Sequence, residues 1–345
     1  MLRPSHEKSA RNLRHVRHHP GGIMRLEDIG FYTLSDERAR NISATSPLWR
    51  CELLLTDQCN FKCPYCRGMR PDLYGTLSLE QAKNIVNLWS QNGLKNIRFS
   101  GGEPTLYPRL VTLIDYTKSM GVQKIALSTN GSAGLSQYLE LLDAGINDFS
   151  ISLDACCAAF GYKMNGKVPY AWEKTVHNIE ALSKKTYVTV GCVFDENNAD
   201  MAREVVKFAD QLGVADIRII SSAQYNKALR GLYGLDGDIL NRHPILAYRI
   251  KNYVKGINVR GLGSTDSSRC YLVMDDMAIA KNYHFPCIIY LREDGKAIGG
   301  VGPKMRKERI SWSIKHNVFD DPICRKNCLD VCRDFNNRVR IYDQA

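Results

Sequence analysis

The chain has 345 residues, 44% of them hydrophobic, and a formal charge of +11; that suffices for one large domain, or a barrel with an appendage, around a sizeable core. No apolar run of about 18 residues is available to cross a membrane, and the N-terminal stretch lacks the apolar segment of a secretory signal. The charge is uneven: residues 1–25 carry six Lys/Arg against one acid and residues 303–340 ten against five, so the middle is nearly neutral and the basic ends favour an anionic partner.

Residues 1–45 read as a basic arm and lead-in, with four histidines (His6, His15, His18, His19) on which no function is built. A solvated arm without a partner is the alternative there. Residues 46–222 alternate strand and helix. Strands are expected at 51–56, 96–100, 124–128, 148–153, 186–194 and 216–221. Helices are expected at 77–92 with Ser78 as N-cap, and at 106–119, 135–144, 170–183 and 199–212, several stopped by glycine. Six such units imply right-handed βαβ crossovers and a parallel sheet. The fold class is α/β, a partial six-stranded (β/α)6 parallel barrel, with a doubly wound open sheet as the alternative. In both, chemistry belongs at the C-terminal ends of the strands. Residues 223–345 form a C-terminal region with a small Cys-rich α+β domain. Its 238–254 stretch is helical, interrupted by Pro244.

Cys59, Cys63 and Cys66 stand at C-x3-C-x2-C spacing just past the first strand. Three thiolates on one loop can hold three irons of a [4Fe–4S] cube and leave the fourth open. Zinc, usually bound by pairs with a second pair downstream, is the alternative; a disulfide suits an odd trio poorly. Gly101-Gly102-Glu103-Pro104 leaves the second strand. Its glycines allow close backbone approach to a ligand, and its carboxylate can accept from an ammonium; alone, it is also an ordinary turn. Cys156-Cys157 follows the fourth strand, and Cys51 and Cys192 lie within strands as structural residues.

A second trio, Cys324, Cys328 and Cys332, has steps of four that place it on one side of a helix or in a tight loop. Cys287 precedes 288–291 and a hairpin-like turn at 292–296. Cys287 with the trio would close a second [4Fe–4S] cluster, with Cys270 as an alternate ligand and structural zinc as the other reading. Six of twelve cysteines in two trios suit metal ligation in a reducing cytoplasm better than disulfides.

The first cysteine loop, with Tyr65 in the aromatic place before Cys66, resembles the signature of radical S-adenosylmethionine (SAM) enzymes. The Gly-Gly-Glu turn one unit later strengthens the resemblance. It implies that SAM chelates the open iron, and that one-electron reduction releases a 5′-deoxyadenosyl radical that takes hydrogen from a substrate. It implies SAM contacts from Gly101, Gly102, Glu103 and Pro104; from Ser128 and Asn130 after the third strand; and from Ser152 and Asp154 after the fourth. Asn198 and Ile220 also fall where relatives contact SAM. The Arg that many relatives pair with the SAM carboxylate is absent, and Lys163 is the nearest cation. Cys156 and Cys157 lie where some radical enzymes keep a hydrogen-donating thiol, although buried small residues are the simpler reading. The C-terminal cysteines resemble the SPASM and Twitch auxiliary-cluster domains, and more loosely the molybdopterin-precursor cyclase, which implies one auxiliary [4Fe–4S] cluster. The implied partners are a one-electron donor of flavodoxin or ferredoxin type and either an anionic small molecule, nucleotide or nucleic acid, or a ribosomal precursor peptide. A non-catalytic Fe–S or zinc protein is the rival class.

Overall fold

The computed structural model describes residues 38–222 and 227–343; most of the basic arm, including its four histidines, lies outside them. Nine strands form one sheet: β1 Arg50–Thr56, β2 Asn96–Gly101, β3 Lys124–Thr129, β4 Asp148–Ser152, β5 Tyr187–Phe194, β6 Asp216–Ser221, β7 Asp276–Ala280, β8 Tyr283–Phe285 and β9 Gly299–Gly300. Their order is β6-β5-β4-β3-β2-β1-β7-β8-β9, with every neighbour from β6 to β7 parallel. The first six strands stand in chain order without reversal. Right-handed crossovers therefore all return on one side, which gives a singly wound, curved half-barrel; a doubly wound sheet needs a reversal of order.

Thirteen α-helices are described: α1 Arg38–Asn41, α2 Leu79–Ser90, α3 Leu110–Ser119, α4 Leu135–Ala144, α5 Ala158–Met164, α6 Ala171–Ser183, α7 Ala202–Gln211, α8 Gly237–Arg242, α9 Pro244–Val254, α10 Ile288–Arg292, α11 Met305–Lys315, α12 Pro322–Asn327 and α13 Asp330–Asp343. Ser78 and Gln81 form a capping box at the start of α2. Pro244 occupies the first turn of α9, so it starts a helix where an interruption was expected.

Side-chain alternation separates the two faces of the sheet. Cys51, Leu53, Leu55, Ile97, Phe99, Ile125, Leu127, Phe149, Ile151, Val188, Val190, Ile217 and Ile219 pack with Trp89, Leu113, Tyr138 and Val205 of the helices in the main core. The alternate residues face inward, and many of them are polar. Arg50 donates from one nitrogen to both oxygens of Asp276 at 2.9 Å, Arg98 donates to Asp148 at 3.2 Å, and Ser100 donates to Glu52 at 2.9 Å. A polar lumen inside an apolar shell is the arrangement of a site, since burying these charges costs stability unless each is paired.

Two expectations for the C-terminal region change. The sheet continues past residue 222: β7 adds to the free edge of β1, and β8 and β9 follow antiparallel. The hairpin is β7–β8, which lies before Cys287, and 288–292 is the helix α10, capped by Cys287. Cys270 and Cys287 therefore flank the hairpin.

Candidate functional site

The first cysteine loop lies beyond the C-terminal end of β1. It is held from below by the Gly-Gly-Glu turn: Gly102 N–H donates to Thr56 O and Glu103 N–H to Gln58 O, both at 2.7 Å. A Cβ on Gly101 would stand 2.3 Å from Thr56 O, and one on Gly102 2.2 Å from Gln58 O. These glycines thus bring two loops together, and the close approach they permit is to the cysteine loop. Backbone N–H groups of Phe61 and Gly68 point at Cys59 and Cys66 Sγ, at 3.4 and 3.3 Å. Cys59 and Cys66 are exposed and Cys63 half-buried. Burial, with Asp154 adding to it, pushes the Cys63 thiol up to about 12. A partly exposed trio, two of whose sulfurs face backbone N–H donors, fits a metal centre whose positive charge would hold the thiolates.

Glu103 is almost fully buried, and its carboxylate is occupied. Oε1 accepts from Thr105 N–H at 3.1 Å, from the Thr105 hydroxyl at 2.7 Å and from the Thr129 hydroxyl at 2.7 Å; Oε2 accepts from Asn130 N–H at 2.7 Å. Burial raises its pKa, against the lowering by these donors. The structure thus makes Glu103 the pin between the second and third strand ends. Asn130 reaches the cysteine loop: its Nδ2 donates to Asn60 Oδ1 at 2.8 Å and lies 4.0 Å from Cys59 Sγ. Asn60 in turn donates to Ser132 at 2.9 Å. Asn60, Thr129 and Ser132 were missed in the sequence because polar residues in turns carry no signal of their own.

A cavity beside the loop is lined by Cys63, Tyr65, Asn130, Ser152, Asp154 and Trp172, among others. The Tyr65 hydroxyl donates to Asp154 Oδ2, while Asp154 Oδ1 accepts from Val193 N–H at 2.7 Å. Burial raises the Asp154 carboxyl to about 6, although the Tyr65 and Val193 donors oppose the shift. Tyr65 therefore ties the cysteine loop to the end of β4. Ser128 sits half-buried at the inner end of β3. Asn198 is buried and closes its own turn, donating to Val193 O at 2.8 Å. Ile220 is 40% exposed on the inner face of β6. Lys163 is exposed, 5.9 Å from the Phe160 ring centroid, and does not line this cavity. Cys157 is exposed before α5 and Cys156 is half-buried; neither lines the cavity.

A second, mainly apolar cavity brings together Cys270, Cys287, Cys324, Cys328 and Cys332. The trio spans the junction of α12 and α13: Cys324 lies in α12, Cys328 caps it, and Cys332 lies in α13. Burial pushes Cys287 up to about 12, and proximity to Cys270 adds to the rise. The other four thiols are likewise raised, chiefly by burial. Five half-buried thiols converging on one space, where a cube takes four, fit an auxiliary cluster with Cys270 among the candidate ligands. Arg333 also lines this space, but it donates to Gly261 O and Asn258 O at 2.6 and 2.8 Å. None of Arg325, Lys326, Arg333, Arg338 and Arg340 lines the cavity beside the first loop.

Residues 53–209 match the family model of the radical SAM superfamily. The chain is 33% identical over 147 residues to the GTP 3',8-cyclase of Psychromonas ingrahamii, covering 40% of this chain and 41% of that protein. It is 26% identical over 178 residues to the probable GTP 3',8-cyclase of Metallosphaera sedula, covering 50% and 56%. The chain thus spans about two-fifths to just over half the length of these curated relatives. Among solved structures, anSMEcpe with bound AdoMet superposes with a TM-score of 0.60 at 16% identity, over 86% of this chain and 95% of that one. Streptococcus suis SuiB bound to S-adenosylmethionine gives 0.54 at 17% identity, over 83% and 66%. These two likenesses concern the fold. The stretch from β1 into α7 is thus the part of the chain that resembles the radical SAM superfamily.

Proposed function

We propose that this chain, through residues 53–209, is a radical SAM enzyme whose substrate is anionic and nucleotide-like. Cys59, Cys63 and Cys66 would hold one [4Fe–4S] cluster, and four of Cys270, Cys287, Cys324, Cys328 and Cys332 a second. When bound, the first cluster and SAM supply a 5′-deoxyadenosyl radical that takes a hydrogen atom from the substrate, with electrons from a flavodoxin- or ferredoxin-type donor. The chain's own residues do the rest. Gly101–Glu103 and Asn130 fix the height of the cysteine loop, Tyr65 and Asp154 fix its outer edge, and Ser152 and Trp172 line the cavity beside it.

The observation that carries the substrate class is Arg218. It stands on β6 beside Gly191, on the inward face opposite Ile217 and Ile219. Arg50 and Arg98 on the same lumen are paired with Asp276 and Asp148. Arg218 Nε and Nη2 are shielded from water and have no hydrogen-bond partner among the described residues. Leaving buried donors unmet costs about 1–3 kcal/mol each, and a phosphate or carboxylate that accepts from both, once this half-buried side chain turns them into the lumen, recovers it. The GTP 3',8-cyclase relatives support a nucleotide among anions.

The test measures 5′-deoxyadenosine from reconstituted, reduced protein against a panel of nucleotides and precursor peptides. Nucleotides should stimulate release, with kcat/KM falling as ionic strength rises and with Arg218→Gln raising KM about tenfold or more. Stimulation by a neutral peptide with a flat salt profile would refute the anionic reading.

A further inference from the structure

The two cysteine sites are joined by a short, fully traceable link. Helix α10 is five residues long. Its N-cap is Cys287, whose Sγ accepts from Tyr290 N–H at 3.4 Å and which lines the second cysteine cavity. Its last residue is Arg292. The Arg292 guanidinium donates from Nη1 to Gly68 O and from Nη2 to Gly101 O at 3.0 Å. Gly68 follows the first cysteine loop, and its N–H points at Cys66 Sγ. Gly101 opens the Gly-Gly-Glu turn. One planar fork therefore spans the two backbone segments that meet at the first site.

The contacts around it run the same way. Glu293 accepts from Arg67, and Arg260 lies 3.9 Å from the same carboxylate oxygen. Arg70 donates to Gly295 O at 2.7 Å. Residues 67, 68 and 70, just past Cys66, are thus fastened to residues 293, 292 and 295, just past α10. The outgoing limb of the loop has no strand or helix of its own until the short turn at Pro71–Leu73. Its position is set by the C-terminal region, and α10 is the rigid piece between that region's cysteine and the clasp.

We propose that Arg292 is a positioning residue that couples the second cysteine site to SAM binding at the first. Filling the second site pins Cys287 and hence α10. Arg292 then holds the Cys66 limb and the Gly101 turn at the separation SAM requires. With the second site empty, α10 is free to shift, the fork loses one or both carbonyls, and affinity for SAM falls while the first cluster stays in place. A fork that reaches two carbonyls at once is an arginine function that lysine cannot reproduce in full.

This rests on the assignment of the two cysteine groups above, so its test separates the two. SAM affinity is measured by calorimetry on anaerobically reconstituted full-length protein, alongside iron content and the electron paramagnetic resonance spectrum of the reduced protein with and without SAM. Arg292→Ala should keep wild-type iron, bind SAM about tenfold more weakly and show a smaller SAM-induced spectral change. Arg292→Lys should fall between, and it carries the test if the alanine variant does not fold. Cys287→Ala should weaken SAM binding by a similar factor. The double variant should be no weaker than either single one, because both act through one link. Wild-type SAM affinity in iron-replete Arg292→Ala, or fully additive losses in the double variant, would overturn the coupling. The assignment fails separately if a Cys59/Cys63/Cys66 triple alanine variant retains all its iron and still binds SAM.

Discussion

Gly102→Ala isolates the contact that sets the height of the first cysteine loop. The added Cβ would stand 2.2 Å from Gln58 O and 2.6 Å from Asp57 O, where ordinary contact begins at 3.4 Å. Both obstacles are backbone, and Gln58 O already accepts from Glu103 N–H, so no side chain can swing aside. Gly102 does not have a left-handed φ, so alanine adds bulk without backbone strain. The loop must lift by about 1 Å, at the 1–3 kcal/mol typical of overpacking. Cys59 is the next residue and lifts with it. The variant should lose 1–3 kcal/mol of stability and about half its iron after anaerobic reconstitution, the half held by the first site. Gly121→Ala is the control: φ is +81° and nothing lies within 4 Å, so it should lose about 1 kcal/mol through left-handed strain and keep all its iron. Urea midpoints and iron analysis of the two variants decide the matter. Full iron in Gly102→Ala, with stability no worse than Gly121→Ala, would refute the claim that this contact positions the loop.

Two further outcomes follow from buried carboxylates. Glu103→Gln sets an amide NH2 against Asn130 N–H or against the Thr105 and Thr129 donors; it should cost about 1.5–3 kcal/mol and weaken SAM binding through Asn130 without loss of iron, read by calorimetry and iron analysis. Asp216, buried under backbone N–H donors at Ile245 and Ile217, has its carboxyl raised to about 7, chiefly by burial. The neutral form is the favoured one in the fold, so its stabilisation is complete below about pH 4 and is lost as pH rises through 7. Asp216→Asn sets an amide NH2 against one of those N–H donors and should be less stable than wild type near pH 4, with the gap in thermal midpoint narrowing as pH rises to 8 because only wild type loses the stabilisation; parallel pH profiles would exclude that role.

The first six strands were legible because their outward residues meet helices and so must be apolar at every second position, as with Leu53, Leu55, Phe99 and Val190. The C-terminal strands escaped notice for the opposite reason. In Asp276–Ala280 the alternation of Met277 and Ile279 with Ala278 and Ala280 is apolar on both faces and too short to separate from a core segment. Its pairing with β1 also spans more than 200 residues without a βα unit to announce it. α10 was misread because Ile288–Leu291 suits a buried strand as well as a helix, and only the cap at Cys287 decides. The cysteine loop was legible as a spacing, whereas the four bonds of Glu103 were not. A buried carboxylate recruits whatever donors the fold brings to it, and Thr105, Thr129 and Asn130 look like ordinary turn residues in the chain.

The pairing of β1 with β7 has a temporal consequence. During synthesis, β2 can cover one edge of β1 soon after it emerges, but the other edge waits for Asp276–Ala280. At 5–20 residues per second that wait is roughly 10–45 s. For that time the nascent half-barrel shows a row of unpaired N–H and C=O groups, a template for foreign strands. Arg50 and Glu52 stand along this edge, turned toward the lumen. Inward charges on an open edge discourage sheet extension by another chain, so the pair guards the growing chain before Asp276 arrives to close the sheet.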